Sequence, residues 1–426
     1  MEDKFVFEIE ESYLHNKYCD EEFKVKLKPI KSDNNQFLLL LNRKLDDMDE
    51  ETHIYQNFVL CKNRFEKWAE KGLLPSVILD ALTKLEIVEI VLTKGEDDPQ
   101  VIFESINSTG LELSNADLIR NFLLMNADNQ EKLYEDYWLP IEKLLRKKMD
   151  YSNLDDFFSH YIVYKTSKPV NSRQLYNRFV QLFKESGFSH ESCLKELKYY
   201  AGIYSAFVNG NKDYSKRIND LLNRLRILNQ STCYPFLFHV FDDYHKQVIS
   251  ETVVENVLQF ILAYLLRRWV CGVPSNTLRG LFTYLYNRIF KVTSNKQKYY
   301  EALNKFLFTV SSKDVVPSAV EFERSLKTAN IYGNPALCRF LLLDIENGDG
   351  KEVLQAENLT IEHIMPQTLN ADWNYISAED HEMYLHTLGN LSVTGYNSEL
   401  SNKSFPEKQV IIRENSKAVI LNCDVL

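Results

Sequence analysis

Three of the nine histidines in this chain, His363, His381 and His386, fall within 24 residues of one another near its end. The first lies in Asn358-Leu359-Thr360-Ile361-Glu362-His363-Ile364-Met365-Pro366-Gln367, and the third in Leu385-His386-Thr387-Leu388-Gly389-Asn390-Leu391-Ser392-Val393. Asn397, Lys403 and Lys408 follow closely. An imidazole that titrates near neutrality can take a proton from water, and hard oxygens can hold a divalent ion. Leu359 to Ile364 reads as a short strand that Pro366 must end or bend. On a strand, Glu362 and His363 project to opposite sides, unless a bulge or terminal twist turns both toward one site. A second strand, Leu391 to Thr394, can pair back on it, with Gly395 supplying the turn. A helix starting near Ser398 then holds Asn397 at or near its N-cap. Such a strand–loop–strand–helix unit would bring an acid, a histidine and two asparagines to one crevice.

The rest of the composition narrows the chemistry. The 426 residues are 45% hydrophobic and 26% charged, ordinary values for a globular chain of two to four domains and not those of a disordered one. The seven cysteines are scattered, odd in number and never spaced as C-x-x-C. A disulfide framework or thiolate zinc cage is therefore not expected, and a reducing, cytoplasmic setting is. The most apolar stretch, Val257 to Val273, is cut by Arg267 and Arg268, so no membrane span is expected. Met1-Glu2-Asp3-Lys4 opens without an apolar run, and no secretory signal is visible. The net charge of −10 is uneven, because residues 120–356 carry 32 Lys and Arg against 25 Asp and Glu while both ends are acidic. A polyanion would be gripped mainly by that middle, although solvated helix faces give the same imbalance.

Stepping outward, the elements that must position the crevice fall into three parts. Residues 1–119 are mixed: Phe23 to Lys28 alternates as a half-buried strand, residues 48–82 read as helical, and Leu85 to Leu92 is a β-branched run closed by a turn. Residues 120–350 carry helical periodicity at Glu131–Lys148, Ser172–Gly187, Tyr214–Leu228, Glu251–Trp269 and Thr277–Lys291. Tyr and Phe abound there, as expected of aromatic packing between helices. Gly348-Asp349-Gly350 leads into residues 351–426, which hold the histidine cluster. The expected fold is mainly α: an α+β portion, a helical bundle, and a small ββα module.

The ordered blocks Glu362 to Pro366, Leu388 to Leu391, Asn397, Ser401-Asn402 and Lys408 resemble the HNH, or ββα-metal, nuclease fold. They are most similar to the HNH-like domain that follows a ParB/sulfiredoxin-like domain in modification-dependent, Type IV-like restriction proteins of the GmrS/GmrD kind. Upstream, Val101-Ile102-Phe103-Glu104-Ser105-Ile106-Asn107-Ser108-Thr109-Gly110-Leu111 and Ser114-Asn115-Ala116-Asp117-Leu118-Ile119-Arg120 resemble the signature closing the ParB-like domain of that family. The family's nucleotide-binding strand and Asp-Gly-Gln-Gln-Arg block are not found, so residues 1–119 are expected to be an N-terminally truncated ParB-like portion. A missing N-terminal portion or a partner subunit is implied. So is a nucleoside triphosphate, but only for an intact relative.

The resemblance implies metal-dependent hydrolysis of double-stranded, modified foreign DNA in phage defence. His363 would be the general base and Glu362 an oxygen ligand to Mg²⁺ or Mn²⁺. Asn397 is a second ligand or a plain N-cap. Asn390 either orients the His363 ring or is simply a turn residue. His386, Lys403 and Lys408 would meet the substrate. Asn107, Asp117 and Arg120 would border a nucleotide pocket, although Ser114 and Asp117 are also explained by helix capping alone. The competing expectation is a catalytically incomplete DNA-binding or sensor subunit, and a third is an RNA-directed nuclease.

Overall fold

The computed structural model describes residues 9–16, 24–29, 31–89, 113–125, 129–145, 152–291, 293–310, 313–348 and 359–418, less positions 17 and 30 between them, with a few isolated positions besides. It comprises two compact units, Met1–Thr93 and Lys94–Leu426.

The first unit is helical where described. Its helices span Lys31–Leu41, His53–Glu70 and Pro75–Leu82. Thr52 starts the second by accepting a hydrogen bond from Tyr55 N, and Pro75 starts the third, where its missing N–H is harmless. The strand expected over Phe23–Lys28 is reduced, among the described residues, to one bridge between His15 and Val25. Leu85–Glu89 forms no strand either. Alternation and β-branching make a strand only where an edge offers hydrogen bonds, and here Leu85, Ile87 and Val88 remain 69%, 92% and 84% exposed.

In the second unit the helices expected from periodicity form at Leu175–Ser186, Lys216–Ile227, Glu251–Val270 and Leu278–Phe290. The expected Glu131–Lys148 helix is Gln130–Leu133, a π-helical turn at Tyr134–Trp138, and Leu139–Leu145 in succession. Ser152–Thr166, His190–Asn209, Tyr234–His245 and Tyr299–Thr309 are further helices. Tyr234–His245 shows why such helices lack a readable stripe: nine of its twelve residues are buried, so no polar face marks the period. Aromatic rings fill the space between helices. Phe157, Tyr204, Phe207, Phe236 and Phe238 are all at most 2% exposed, and Phe157 meets Tyr204 edge-on at 5.5 Å. Such pairs add about 0.5–1.5 kcal/mol each beyond burial.

The C-terminal module is built on this bundle. Strand β1 (Thr360–His363) pairs antiparallel with β2 (Leu391–Thr394), in register from Thr360↔Thr394 to His363↔Leu391. Leu391 and Val393 pack with Cys338, Leu341 and Leu342 of the Pro335–Asn347 helix and with Val270 at the end of the Glu251–Val270 helix. Residues on both sides of position 351 therefore share one core. After β2 comes a single turn, Asn397–Leu400, and then the helix Phe405–Asn415 with a Ser404–Glu407 capping box. The long helix thus starts later than the expected Ser398. Ser401, at φ +40°, breaks the chain between the two. No helix among the described residues is long and apolar enough to cross a membrane.

Two partly buried histidines make the bundle acid-sensitive. Burial, aided by the Arg279 charge, lowers His160 to about 4, and burial lowers His239 to about 3. The unfolded chain takes up these protons near pH 6.5, well before the folded chain does, so stability is whole above that pH and is lost as pH falls toward 4. Going from pH 7 to pH 5 is expected to remove on the order of 2 kcal/mol per histidine, read as a lower urea midpoint. His160→Gln should flatten that dependence, and an unchanged wild-type midpoint at pH 5 would contradict it.

Candidate active site

His363 ends β1, and its partners come from three other segments. Its Nε2 lies 3.1 Å from His386 Nδ1, and its Nδ1 lies 3.4 Å from Gln367 Nε2. Tyr332, in the turn between the Ala319–Thr328 and Pro335–Asn347 helices, stands edge-on to the His363 ring at 4.6 Å. The same Tyr332 lies nearly parallel to His386, 13° between planes at 5.2 Å. Ile331 N donates to the His386 carbonyl at 3.0 Å, which ties that turn to the histidine pair. Burial, then the His386 and Lys408 charges, lower His363 to about 4. Its imidazole is therefore neutral at physiological pH, with a lone pair to give.

Period-two alternation sends Glu362 the other way. Its carboxylate accepts from Lys408 Nζ at 2.6 Å, and the same ammonium donates to the His363 carbonyl at 2.8 Å. Lys408 is 0% exposed and Glu362 5%. Burial pushes the Glu362 carboxyl above the ordinary carboxylate range, against the opposing pull of Lys408. Lys408 was expected to meet phosphate. The structure corrects this: with no access to solvent and both contacts made inside the module, it braces β1 from beneath.

Asn390 holds the backbone that follows the histidine. Its Oδ1 accepts from Met365 N at 2.7 Å, while Nδ2 donates to the carbonyls of Met365 and Leu385 at 3.0 and 2.8 Å. Ile364 N donates to the Asn390 carbonyl at 3.0 Å. The expected hydrogen bond from Asn390 to the His363 ring is thus replaced by a clamp on residues 364 and 365. Gln367 and His386 hold the ring instead. His381 Nε2 lies 2.9 Å from the Pro366 carbonyl, steadying the same bend. Gln367 stands in the motif beside Pro366 and was legible as a neighbour; Tyr332 carries no signal in the linear sequence.

The expected ion ligands do not converge. Glu362 is committed to Lys408, and Asn397 lies in the first turn after β2, where its Nδ2 donates to the Ile361 carbonyl at 3.3 Å. Tyr396 takes the N-cap position expected of Asn397. Among the described residues, no group of three or more His, Cys, Asp or Glu side chains is placed to hold a metal ion. The residues as arranged do not fit a ready-made cation cage, and no step below is routed through one. Lys403 is exposed; its backbone N–H donates to the Leu400 carbonyl at 3.1 Å and its carbonyl accepts from the Trp373 indole at 3.0 Å.

In the upstream set, Asp117 N donates to Ser114 Oγ at 3.1 Å, the capping arrangement. Arg120 Nη2 pairs with Asp117 at 3.1 Å and Nη1 lies 3.6 Å from Glu142. Asp155 accepts from Ala116 N at 2.7 Å, fastening this helix to Ser152–Thr166. Asp117 and Arg120 are thus occupied with each other and with the bundle. Asn107 lies outside the described residues, as does most of the Val101–Leu111 block.

The model of the GmrSD restriction endonuclease N-terminal domain matches residues 3–124, and that of the GmrSD C-terminal domain matches residues 316–422. Together they take in more than half of the chain, in the order the motifs suggested. This chain belongs to the GmrSD restriction endonuclease family. The GmrSD C-terminal match begins just before the Ala319–Thr328 helix, so the hairpin that carries Tyr332 falls inside the domain together with His363 and His386. The GmrSD N-terminal match ends with the Asn115–Leu124 helix. The helices between lie outside both matches. No curated protein sequence matches the chain significantly.

The brace beneath β1 gives a direct test. Lys408→Met leaves Glu362 buried without a partner and is expected to destabilise the protein by about 3–5 kcal/mol. Adding Glu362→Leu should return most of that loss, since an apolar pair of similar volume replaces the ions. Urea unfolding of wild type and the two variants would show neither the loss nor the recovery if the ion pair were a solvated surface contact.

Proposed function

We propose that this GmrSD protein hydrolyses phosphodiester bonds in double-stranded, modified foreign DNA, with His363 as general base. The observation that carries this reading is the neutral, buried His363 ring, fixed by His386 and Gln367 at the end of a clamped strand. With Nε2–H donated to His386, the Nδ1 lone pair faces Gln367 across the longer, 3.4 Å contact. A water entering at that contact would give its proton to Nδ1 as its oxygen attacks phosphorus; the P–O bond to the leaving sugar oxygen breaks, and that oxygen takes a proton from solvent. A lone pair held this low is available but weakly basic. An arriving phosphate opposes the burial effect, because its negative charge favours the protonated ring and raises the pKa toward the working range.

Lys403, exposed in the bend before the Phe405–Asn415 helix, is the remaining lysine of the motif able to meet a backbone phosphate. Asn390 acts through the backbone and not on the substrate. The divalent-ion requirement implied by the resemblance is a separate arm of the experiment. One observation favours a second reading, a DNA-binding or sensor subunit without cleavage: the commitment of Glu362 to Lys408.

Plasmid nicking with Mg²⁺ or Mn²⁺, compared with chelator, decides between them. Wild type is expected to nick and His363→Ala to lose about 10²–10⁴-fold, the usual worth of a positioned general base. Equal activity of the two proteins removes His363 from the mechanism, and inactivity of both favours the sensor. Cleavage of RNA alone would replace the DNA reading. In an active enzyme the acid limb of kcat/KM should fall near pH 4 and that of kcat higher, since only the latter reports the phosphate-bound state.

A further inference from the structure

A cleft of about 570 Å³ opens on the bundle, far along the chain from His363 and within the helices that neither family match covers. Tyr199, Tyr214, Tyr244 and His245 line it together with Gly202, Asn211 and Gln247, and Asp213 places one carboxylate at its wall. The rings are fixed in place. His245 Nδ1 lies 3.1 Å from the Tyr199 hydroxyl, and its Nε2 lies 2.9 Å from that of Tyr214. Tyr214 and His245 are nearly parallel, 15° apart at 5.9 Å, and Tyr199 also donates to Asp242 at 3.3 Å. Burial keeps the Tyr199 and Tyr214 hydroxyls above the usual phenol range, so these walls stay uncharged.

Gly202 lies inside the His190–Asn209 helix with no turn to explain it. A glycine there costs about 1 kcal/mol relative to alanine. A Cβ at Gly202 would meet no atom within 4 Å, so the position opens onto the cleft. Lys212 is exposed beside Asn211, whereas Lys198 donates to the Asp136 carbonyl at 2.8 Å and Lys246 pairs with Asp242 at 2.6 Å, so those two are not offered to a ligand. The volume falls within the range of small-molecule sites, roughly 300–1,000 Å³. Pre-fixed aromatic walls with amides at the edge match a flat heteroaromatic ring.

We propose that this cleft receives a nucleobase, stacked against the tyrosine rings and hydrogen-bonded by the Asn211 and Gln247 amides, with its phosphate directed out of the cleft toward solvent. The proposal deepens the DNA reading and rests on it for the choice of ligand. It assigns recognition to the bundle and leaves cleavage to the C-terminal module.

Isothermal titration of the full chain with dCMP and dAMP, against 2-deoxyribose 5-phosphate as the baseless control, tests it. Wild type should bind the mononucleotides and bind the control at least tenfold more weakly. Gly202→Leu, which fills the space, should abolish the difference, while Gly202→Ala should bind within about threefold of wild type. Tyr199→Ala, at a ring 40% exposed, should weaken binding by about 5- to 150-fold, the worth of one stacked base, and covers the case in which Gly202→Leu does not fold. Equal binding of the baseless control, no binding of any of the three compounds at millimolar concentration, or unchanged affinity in Tyr199→Ala and a folded Gly202→Leu would overturn the cleft assignment. The plasmid assay is independent of it: nicking without base-dependent binding rejects the cleft alone, and base-dependent binding without nicking rejects the nuclease reading alone.

Discussion

A lysine ammonium cut off from water lies between the Glu362 carboxylate and the His363 carbonyl, and the geometry of the C-terminal module depends on it. Bringing either charge out of water alone would cost several kcal/mol, so each holds the other in position. Because Lys408 belongs to the Phe405–Asn415 helix and Glu362 to β1, the pair couples the last helix to the first strand. The Asn390 amide then fixes the next two residues, and the His363 ring is left in one place, its face against Tyr332 and its nitrogens against His386 and Gln367.

That arrangement distributes the candidate site over a longer stretch of chain than its motif. Tyr332 and Ile331 arrive from a helical hairpin that precedes the strands, and the strands bury Leu391 and Val393 against the second helix of that hairpin. The core continues to Val270 of the bundle. Strain or repacking in the bundle therefore has a physical route to the turn that presses on His363 and His386, through side chains in direct contact. Two adjacent carboxylates of the bundle sit in hydrogen-bonded networks. Asp243 accepts from Tyr286 at 2.7 Å and Lys296 at 2.8 Å, and Asp242 accepts from Lys246 at 2.6 Å. These contacts order the end of the Tyr234–His245 helix, where the aromatic cleft is found.

Several elements were legible in the linear order of residues because local physics decides them. Amphipathic helices such as Lys216–Ile227 announce themselves by one apolar stripe, and the Ser114 cap by its spacing from Asp117. The pairing of β1 with β2 followed from two short apolar runs flanked by Pro366 and Gly395. Helices buried on nearly all sides hid their period. In the N-terminal unit the β-branched Leu85–Glu89 run suggested a strand that, without a partner edge among the described residues, does not form.

The motif also located the strand β1 that carries Glu362 and His363, together with the family to which the two domain matches assign the chain. What it could not decide was partnership. Alternation along β1 put Glu362 and His363 on opposite sides. Whether the carboxylate met an ion or an ammonium depended on where a helix 46 residues later came to rest. Likewise Asn390 had two backbone groups and a ring within plausible reach, and only packing selected the backbone. Hydrogen bonds and ion pairs between distant segments are chosen by which polar groups lose water together, and that choice is made by the assembled core.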